Sequence, residues 1–111
     1  MKITSSDQIY FFRDIEIIRF ESVHGTTLVH LMNGTTSSIS ATIKEIEEQL
    51  TSRDFILIGE QHLVNLNHIA SISEGSEDYI VLDNSQKLPI AHERKQTIIT
   101  LLNKHLNNLK P

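Results

Sequence analysis

The 111-residue sequence has no cysteine, only two prolines and only four glycines, which stand far apart. The lack of cysteine excludes disulfides, thiolate metal sites and cysteine nucleophiles, and it fits a reducing cytoplasm. Because the glycines are scattered, there is no glycine-rich loop of the kind that cradles phosphate groups.

Long hydrophobic runs are missing as well. No apolar stretch approaches the roughly 20 residues that a membrane-spanning helix needs. The first residues, Met1-Lys2-Ile3-Thr4-Ser5, lack the apolar core of a signal peptide. We therefore predict a cytoplasmic protein. The length suits a single domain, placed at residues 1–111, and a hydrophobic fraction of 39% allows one core.

Charge is distributed unevenly around a net value of −4. Residues 1–86 carry five Lys and Arg against thirteen Asp and Glu, whereas residues 87–111 carry five basic residues against Glu93 alone. A surface that binds an anion must therefore draw on the C-terminal end. A basic, solvated helix face is the alternative interpretation of the same pattern.

Strand patterns dominate the chain and two helices interrupt them. Alternating or β-branched runs predict strands at 9–12, 15–21, 26–32, 35–40, 55–58, 62–65, 69–73, 79–82 and 87–90. Asn33-Gly34 suits a type I′ hairpin turn, and His24-Gly25 suits a bend. We predict a mainly β domain of elongated antiparallel sheets with two peripheral helices.

The first helix is expected near 42–51, because Thr42 and Glu45 have the spacing of a capping box. The second is expected near 92–109. It carries an apolar stripe that predicts core or dimer contacts, formed by Ile98, Leu101, Leu102, His105, Leu106 and Leu109.

No catalytic or metal-binding pattern is present. The six histidines include no His-x-x-x-His pair and no adjoining carboxylate cluster, so neither a metal nor another cofactor is predicted. No Ser, His and Asp set is marked by a motif, and nothing in the sequence pairs Glu60 with Glu93 as acid and base. The sequence therefore gives no support to an enzyme.

Several segments together resemble a known family. They are Asp14-Ile15 leading to Phe20-Glu21-Ser22, a hairpin with Asn33-Gly34, the helix Ile43–Leu50, Phe55 followed by Leu63-Val64-Asn65-Leu66 and Ile69, and a final Leu88-Pro89-Ile90 before a helix. In this order they are similar to the LytTR family, the DNA-binding domains often found at the C-terminus of bacterial two-component response regulators. The resemblance covers about residues 9–106.

The resemblance implies a cytoplasmic transcription regulator that contacts double-stranded promoter DNA through loops, as a homodimer or with a LytTR-type partner. The residues expected to contact DNA are Thr26, Thr27, Gln61, His62, His92, Arg94 and Lys95. Asn65 is instead expected to satisfy backbone groups at a bend.

The sequence departs from the family where DNA contact is expected. The family's Arg-x-His-Arg-Ser cluster is replaced by Leu57–Gln61, and its Ser-Arg-Arg cluster by Ala91-His92-Glu93. Glu60 and Glu93 thus stand where basic residues would face phosphate. The alternative prediction is therefore a LytTR fold that has lost DNA binding and acts through protein contacts. A ligand-binding protein or enzyme ranks third.

Overall fold

The structure is a computed structural model that describes the backbone of residues 1–109 and the side chains of residues 1–107. It is mainly β, with antiparallel sheets and two helices, as predicted. Its principal extents are 42 × 35 × 25 Å, so the domain is moderately elongated. No helix among the described residues is long and apolar enough to cross a membrane.

A short hairpin opens the chain. Strand β1 (Lys2–Thr4) pairs with β2 (Ile9–Phe11), and the fully buried Ile3 anchors the hairpin on the core. Strand β1 was not predicted, because three residues next to a polar turn show no periodicity. The strand predicted from residue 15 begins later, since Asp14–Glu16 form a 3-10 turn closed by the Ile17 N–H on the Asp14 carbonyl.

A five-stranded antiparallel sheet follows, in the order β5-β4-β3-β7-β6. Its strands are β3 (Ile17–Val23), β4 (Thr26–Leu31), β5 (Thr36–Ile39), β6 (Phe55–Leu57) and β7 (His62–Asn65). β3 lies at the centre and has four consecutive buried residues, 17–20. They do not alternate because a bulge lies between Ile17 and Arg19 and a hydrophobic core covers each face of the sheet.

A smaller antiparallel sheet has the order β10-β9-β8. Its strands are β8 (Ile69–Ile72), β9 (Tyr79–Leu82) and β10 (Lys87–Pro89). Pro89 lies in the edge strand β10, as its missing N–H requires. Ile80 and Leu82 of β9 pack with Ile18 and Val64 of the larger sheet to form the second core.

The two helices cover these cores. Helix α1 (Ile43–Gln49) begins with the predicted capping box, in which Thr42 Oγ1 accepts the Glu45 N–H at 3.1 Å, and its Ile46 fills the first core. Helix α2 (Lys95–Leu109) follows a 3-10 turn at His92–Arg94 rather than starting at residue 92.

The apolar stripe of α2 serves the core only in part. Ile98 is fully buried and Leu102 packs against the second core, whereas Leu106 is 57% exposed. The side chain of Leu109, the last predicted member of the stripe, lies outside the described residues. A dimer contact through this stripe stays a prediction.

The type I′ prediction was placed at the wrong hairpin. His24 and Gly25 both have positive φ, 50° and 78°, and they form the two-residue turn between β3 and β4. In the β4–β5 hairpin only Gly34 has positive φ, 86°, because the loop has three residues and Leu31 N–H bonds to Thr35 O at 3.0 Å. This is a type I turn followed by a glycine bulge.

Candidate nucleic-acid interface

The β6–β7 loop and the 3-10 turn before α2 meet at one end of the larger sheet. The Ala91 N–H donates to Ile58 O at 2.8 Å, and Arg94 Nη1 donates to Leu57 O at 3.0 Å. These bonds place residues 58–61 beside residues 91–94, which are far apart in sequence. The two segments predicted to contact DNA therefore form one surface.

An open groove of about 590 Å³ runs between this surface and α1. Its apolar lining comes from Ile43, Leu57 and Ala91. Its charged lining consists of two cations against three carboxylates, namely Lys44, Arg94, Glu47, Glu60 and Glu93. The groove is therefore not electropositive, because its carboxylates, which include Glu60 and Glu93, outnumber its cations.

Gln61 and His62 lie on the other side of Glu60. A shallow depression of about 300 Å³ is lined by both residues together with Pro89 and Ala91. Gln61 is exposed, and its carbonyl accepts the Ser22 N–H at 2.8 Å, which ties the loop to the end of β3. His62 is half-buried at the start of β7.

The two threonines at the start of β4 differ in accessibility. Thr26 pairs with Val23 next to the β3–β4 turn and is half-buried, so it lies at the same end of the sheet as Gln61. Thr27 is fully buried, and its hydroxyl donates to Ala41 O at 2.8 Å. The prediction that Thr27 contacts DNA is therefore wrong for this fold, because strand alternation turns its side chain into the first core.

His92 and Lys95 both bind Asp78. His92 Nδ1 is 3.0 Å from Asp78 Oδ2, while its ring remains 85% exposed. Lys95 is only 14% exposed, and its ammonium donates to Gly75 O at 3.2 Å and Glu77 O at 3.3 Å and forms an ion pair with Asp78 Oδ1 at 3.3 Å. These contacts hold the ammonium group of Lys95 against the β8–β9 turn. Lys95, which was expected to contact DNA, therefore has structural partners in this turn.

The family model of the LytTr DNA-binding domain matches residues 7–103. The chain belongs to this LytTR family. LytTR is a DNA-binding domain family, not an enzyme family. A comparison with curated proteins finds no match.

A solved structure supports the fold independently. The chain is similar to the LytTr DNA-binding domain of a protein described as a "methyl-accepting/DNA response regulator" from Bacillus cereus, with a TM-score of 0.67 and 21% sequence identity. The match covers 96% of this chain and 94% of that chain. The predicted LytTR fold is thus confirmed over nearly the whole domain.

The LytTR fold here contains a buried polar network that was not predicted from the sequence. Arg19 of β3 is 4% exposed, and its Nη1 lies 3.1 Å from His62 Nδ1 and 3.4 Å from Glu21 Oε1. Its Nε donates to Gln86 Oε1 at 3.3 Å, and His30 Nε2 lies 2.9 Å from Glu21 Oε1. The position of Arg19 between the apolar residues Ile18 and Phe20 of a predicted strand is the signal that could have indicated a buried arginine.

Two pKa shifts follow from this network. Burial and then the charge of Arg19 lower the pKa of His62. Burial opposes ionisation of Glu21, but the hydrogen bond from His30 and the charge of Arg19 outweigh it and lower the pKa of Glu21. The network therefore favours an ionised Glu21 and a neutral His62.

Other histidines of this LytTR domain have structural partners. His68 is 3% exposed, with Nδ1 2.7 Å from Asp83 Oδ2 and Nε2 2.8 Å from Ile15 O. His105 Nε2 is 2.8 Å from Asn67 Oδ1. Within the described part of the chain, no group of three or more His, Asp or Glu residues could hold a metal ion.

Proposed function

We propose that this LytTR domain is the sequence-specific DNA-binding domain of a transcription regulator and contacts DNA through loops. The observation that carries the proposal is the convergence of Gln61, His62, His92 and Arg94, with Thr26, at one end of the larger sheet. Membership of the LytTR family is the reason to expect DNA binding. The hydrogen bonds between residues 57–58 and 91–94 join the two candidate segments into a single surface that could contact DNA.

The polar groups on this surface suit base recognition better than phosphate binding. Thr26, Gln61 and His62 offer neutral hydrogen-bonding groups, which can reach base edges in a groove. Arg94 and Lys44 line the adjacent groove, and neither forms an ion pair with the described residues as Lys95 does. Two phosphate contacts predict that log K falls with log[salt] with a slope of about −2 for one domain. This slope is much shallower than that of a strongly basic DNA-binding protein.

A selection experiment tests the proposal. The domain would be incubated with duplexes that have a randomised centre, and the bound sequences would be enriched. The affinity for the enriched sequence would then be measured by fluorescence anisotropy across a salt series. Arg94→Gln is expected to weaken binding and to make the slope shallower by about 0.9. Arg13→Gln is the matched control, since Arg13 is 84% exposed and precedes the opposite end of β3. No enrichment and no binding at low salt would refute the proposal.

The second candidate is an interaction module that binds a LytTR-type partner without contacting DNA. The charge of the groove favours it, because three carboxylates face two cations where the family presents basic residues. It predicts a defined complex with a DNA-competent relative, measured by analytical ultracentrifugation, together with no DNA binding. Leu106→Gln tests whether the exposed end of α2 contributes to that contact.

A further inference from the structure

Arg19 is a cation buried directly behind the candidate interface. Its guanidinium is 4% exposed and lies within hydrogen-bonding distance of His62, Gln86 and Glu21. Burying an arginine is costly unless its donors are satisfied, and the residue is too enclosed to reach a phosphate itself. Any effect of Arg19 on DNA must therefore act through a neighbour.

The contact with His62 fixes the proton on that ring. A guanidinium only donates hydrogen bonds, so Nδ1 of His62, at 3.1 Å, must accept. A neutral imidazole that accepts at Nδ1 carries its proton on Nε2. Burial and the charge of Arg19 lower the pKa of His62, so the neutral ring prevails at neutral pH.

The other nitrogen of His62 is open. Nε2 has no hydrogen-bond partner among the described residues, and it is not among their buried, unpaired polar atoms. His62 is one of the residues that line the depression shared with Gln61 and Pro89. The ring thus places one nitrogen against the buried arginine and leaves the second for a ligand.

We propose that Arg19 is a positioning residue that holds His62 as a neutral Nε2–H donor aimed at a hydrogen-bond acceptor on DNA. The DNA half of this inference rests on the proposed function, whereas the assignment of the proton does not. Such a group can donate to guanine N7 or O6, adenine N7, thymine O4 or a phosphate oxygen, and it cannot pair with the amino group of cytosine, which is itself a donor.

Other charged groups around His62 come from two neighbouring strands. Glu21 on β3 lies opposite His62 on β7 and raises the pKa of His62, while His30 on β4 lowers that pKa. Glu21 also contacts Arg19 Nη1 at 3.4 Å and His30 Nε2 at 2.9 Å, which restrains the guanidinium. Thr36 Oγ1, 3.5 Å from His30 Nδ1, extends the chain of contacts to β5.

NMR tests the assignment of the proton without DNA. Long-range proton–nitrogen correlation on the nitrogen-15-labelled wild type is expected to show the Nε2–H tautomer of His62 at neutral pH, with a titration midpoint below that of a free histidine. Arg19→Met is expected to mix the tautomers and raise the midpoint, and Arg19→Lys to restore the Nε2–H form in part. An Nδ1–H or doubly protonated ring in the wild type at neutral pH would overturn the inference.

DNA binding tests the other half on the sequence enriched by selection. Arg19→Met is expected to bind roughly tenfold more weakly with an unchanged salt slope, the cost of about one hydrogen bond. If Arg19→Met does not fold, two His62 variants replace it. His62→Gln, whose amide extends about as far as Nε2, should lose less affinity than His62→Asn, whose amide extends only about as far as Nδ1.

Each outcome has one meaning. Losses confined to one base position indicate a base acceptor, and losses equal on every sequence indicate a phosphate. Unchanged affinity in a folded Arg19→Met, or in His62→Asn, would overturn the DNA half of the inference. A wild type that binds no DNA refutes the proposed function and that half together, while the NMR result still decides the role of Arg19.

Discussion

Lys95 Nζ and Asp78 Oδ1 lie 3.3 Å apart and join the start of α2 to the residue preceding β9. Partial burial opposes ionisation of Asp78, but hydrogen bonds from His92 and Lys95 outweigh it and lower the pKa of its carboxyl group. Asp78 therefore holds one residue of the candidate interface, His92, while Lys95 holds the preceding turn. Lys95 thus stabilises the part of the structure that supports the candidate interface.

This relationship predicts opposite effects for two adjacent basic residues. Lys95→Met is expected to lower the midpoint of urea unfolding, because it removes three contacts in the β8–β9 turn. It should leave the salt slope of DNA binding unchanged. Arg94→Met should have the reverse pattern. Equal stability of the two variants would contradict the structural role of Lys95.

Two hairpins with the same loop geometry predict a second pair of variants. Gly34 has φ 86° and Ser85 has φ 73°, and each follows a turn closed by its N–H on the carbonyl three residues before. Only glycine adopts this conformation without steric cost. Ser85→Gly should stabilise the domain by about 0.5–1 kcal/mol and Gly34→Ser should destabilise it by a similar amount.

Urea unfolding of both variants checks this prediction, with Ser76→Gly as a control in an exposed bend where φ is not positive. If Ser85→Gly destabilises as much as the control, backbone strain is not the controlling factor at that position.

The lowered pKa of His62 predicts a loss of stability on acidification. Its folded pKa is below the ordinary value of 6.5, so the unfolded chain binds the proton more readily. The stabilising contribution is complete above that value and is lost as the pH falls through it toward the folded pKa. The Glu21 shift acts in the same direction but from 4.5 downward.

Urea unfolding at about pH 7.5 and about pH 5.5 isolates the histidine, because Glu21 remains ionised in that window. The wild type should lose more stability between these pH values than His62→Gln does. An equal loss in both proteins would mean that other groups account for the whole pH dependence.

The sequence predicted the fold well because its signals were local. The capping box at Thr42 and Glu45 and the β10 edge position of Pro89 each follow from the chemistry of one or two residues. The type I′ turn was misplaced because Asn-Gly also suits a glycine bulge, and only the strand register decides between them. Thr27, Lys95 and Arg19 required the tertiary structure, since their roles depend on Ala41, Asp78 and His62, which are distant in sequence.

Asn65 was predicted to be structural, and both ends of its side-chain amide form hydrogen bonds with the backbone. It is fully buried, and its Nδ2 donates to Ile17 O at 2.9 Å and Asp14 O at 3.1 Å. Its Oδ1 accepts the Asn67 N–H at 3.0 Å and begins the 3-10 turn at Leu66–His68. The prediction that Asn65 satisfies backbone groups at a bend is confirmed.

Asn65→Asp is therefore expected to destabilise the domain by about 2–4 kcal/mol, because a carboxylate oxygen would face two carbonyl oxygens in a buried site. Asn84→Asp is the matched control. Asn84 is exposed and uses only its oxygen, which accepts the Gln86 N–H at 2.9 Å, so its effect should stay within about 0.5 kcal/mol. Urea unfolding at neutral pH measures both variants. A similar, small loss for both would show that the amide of Asn65 is not needed as a donor.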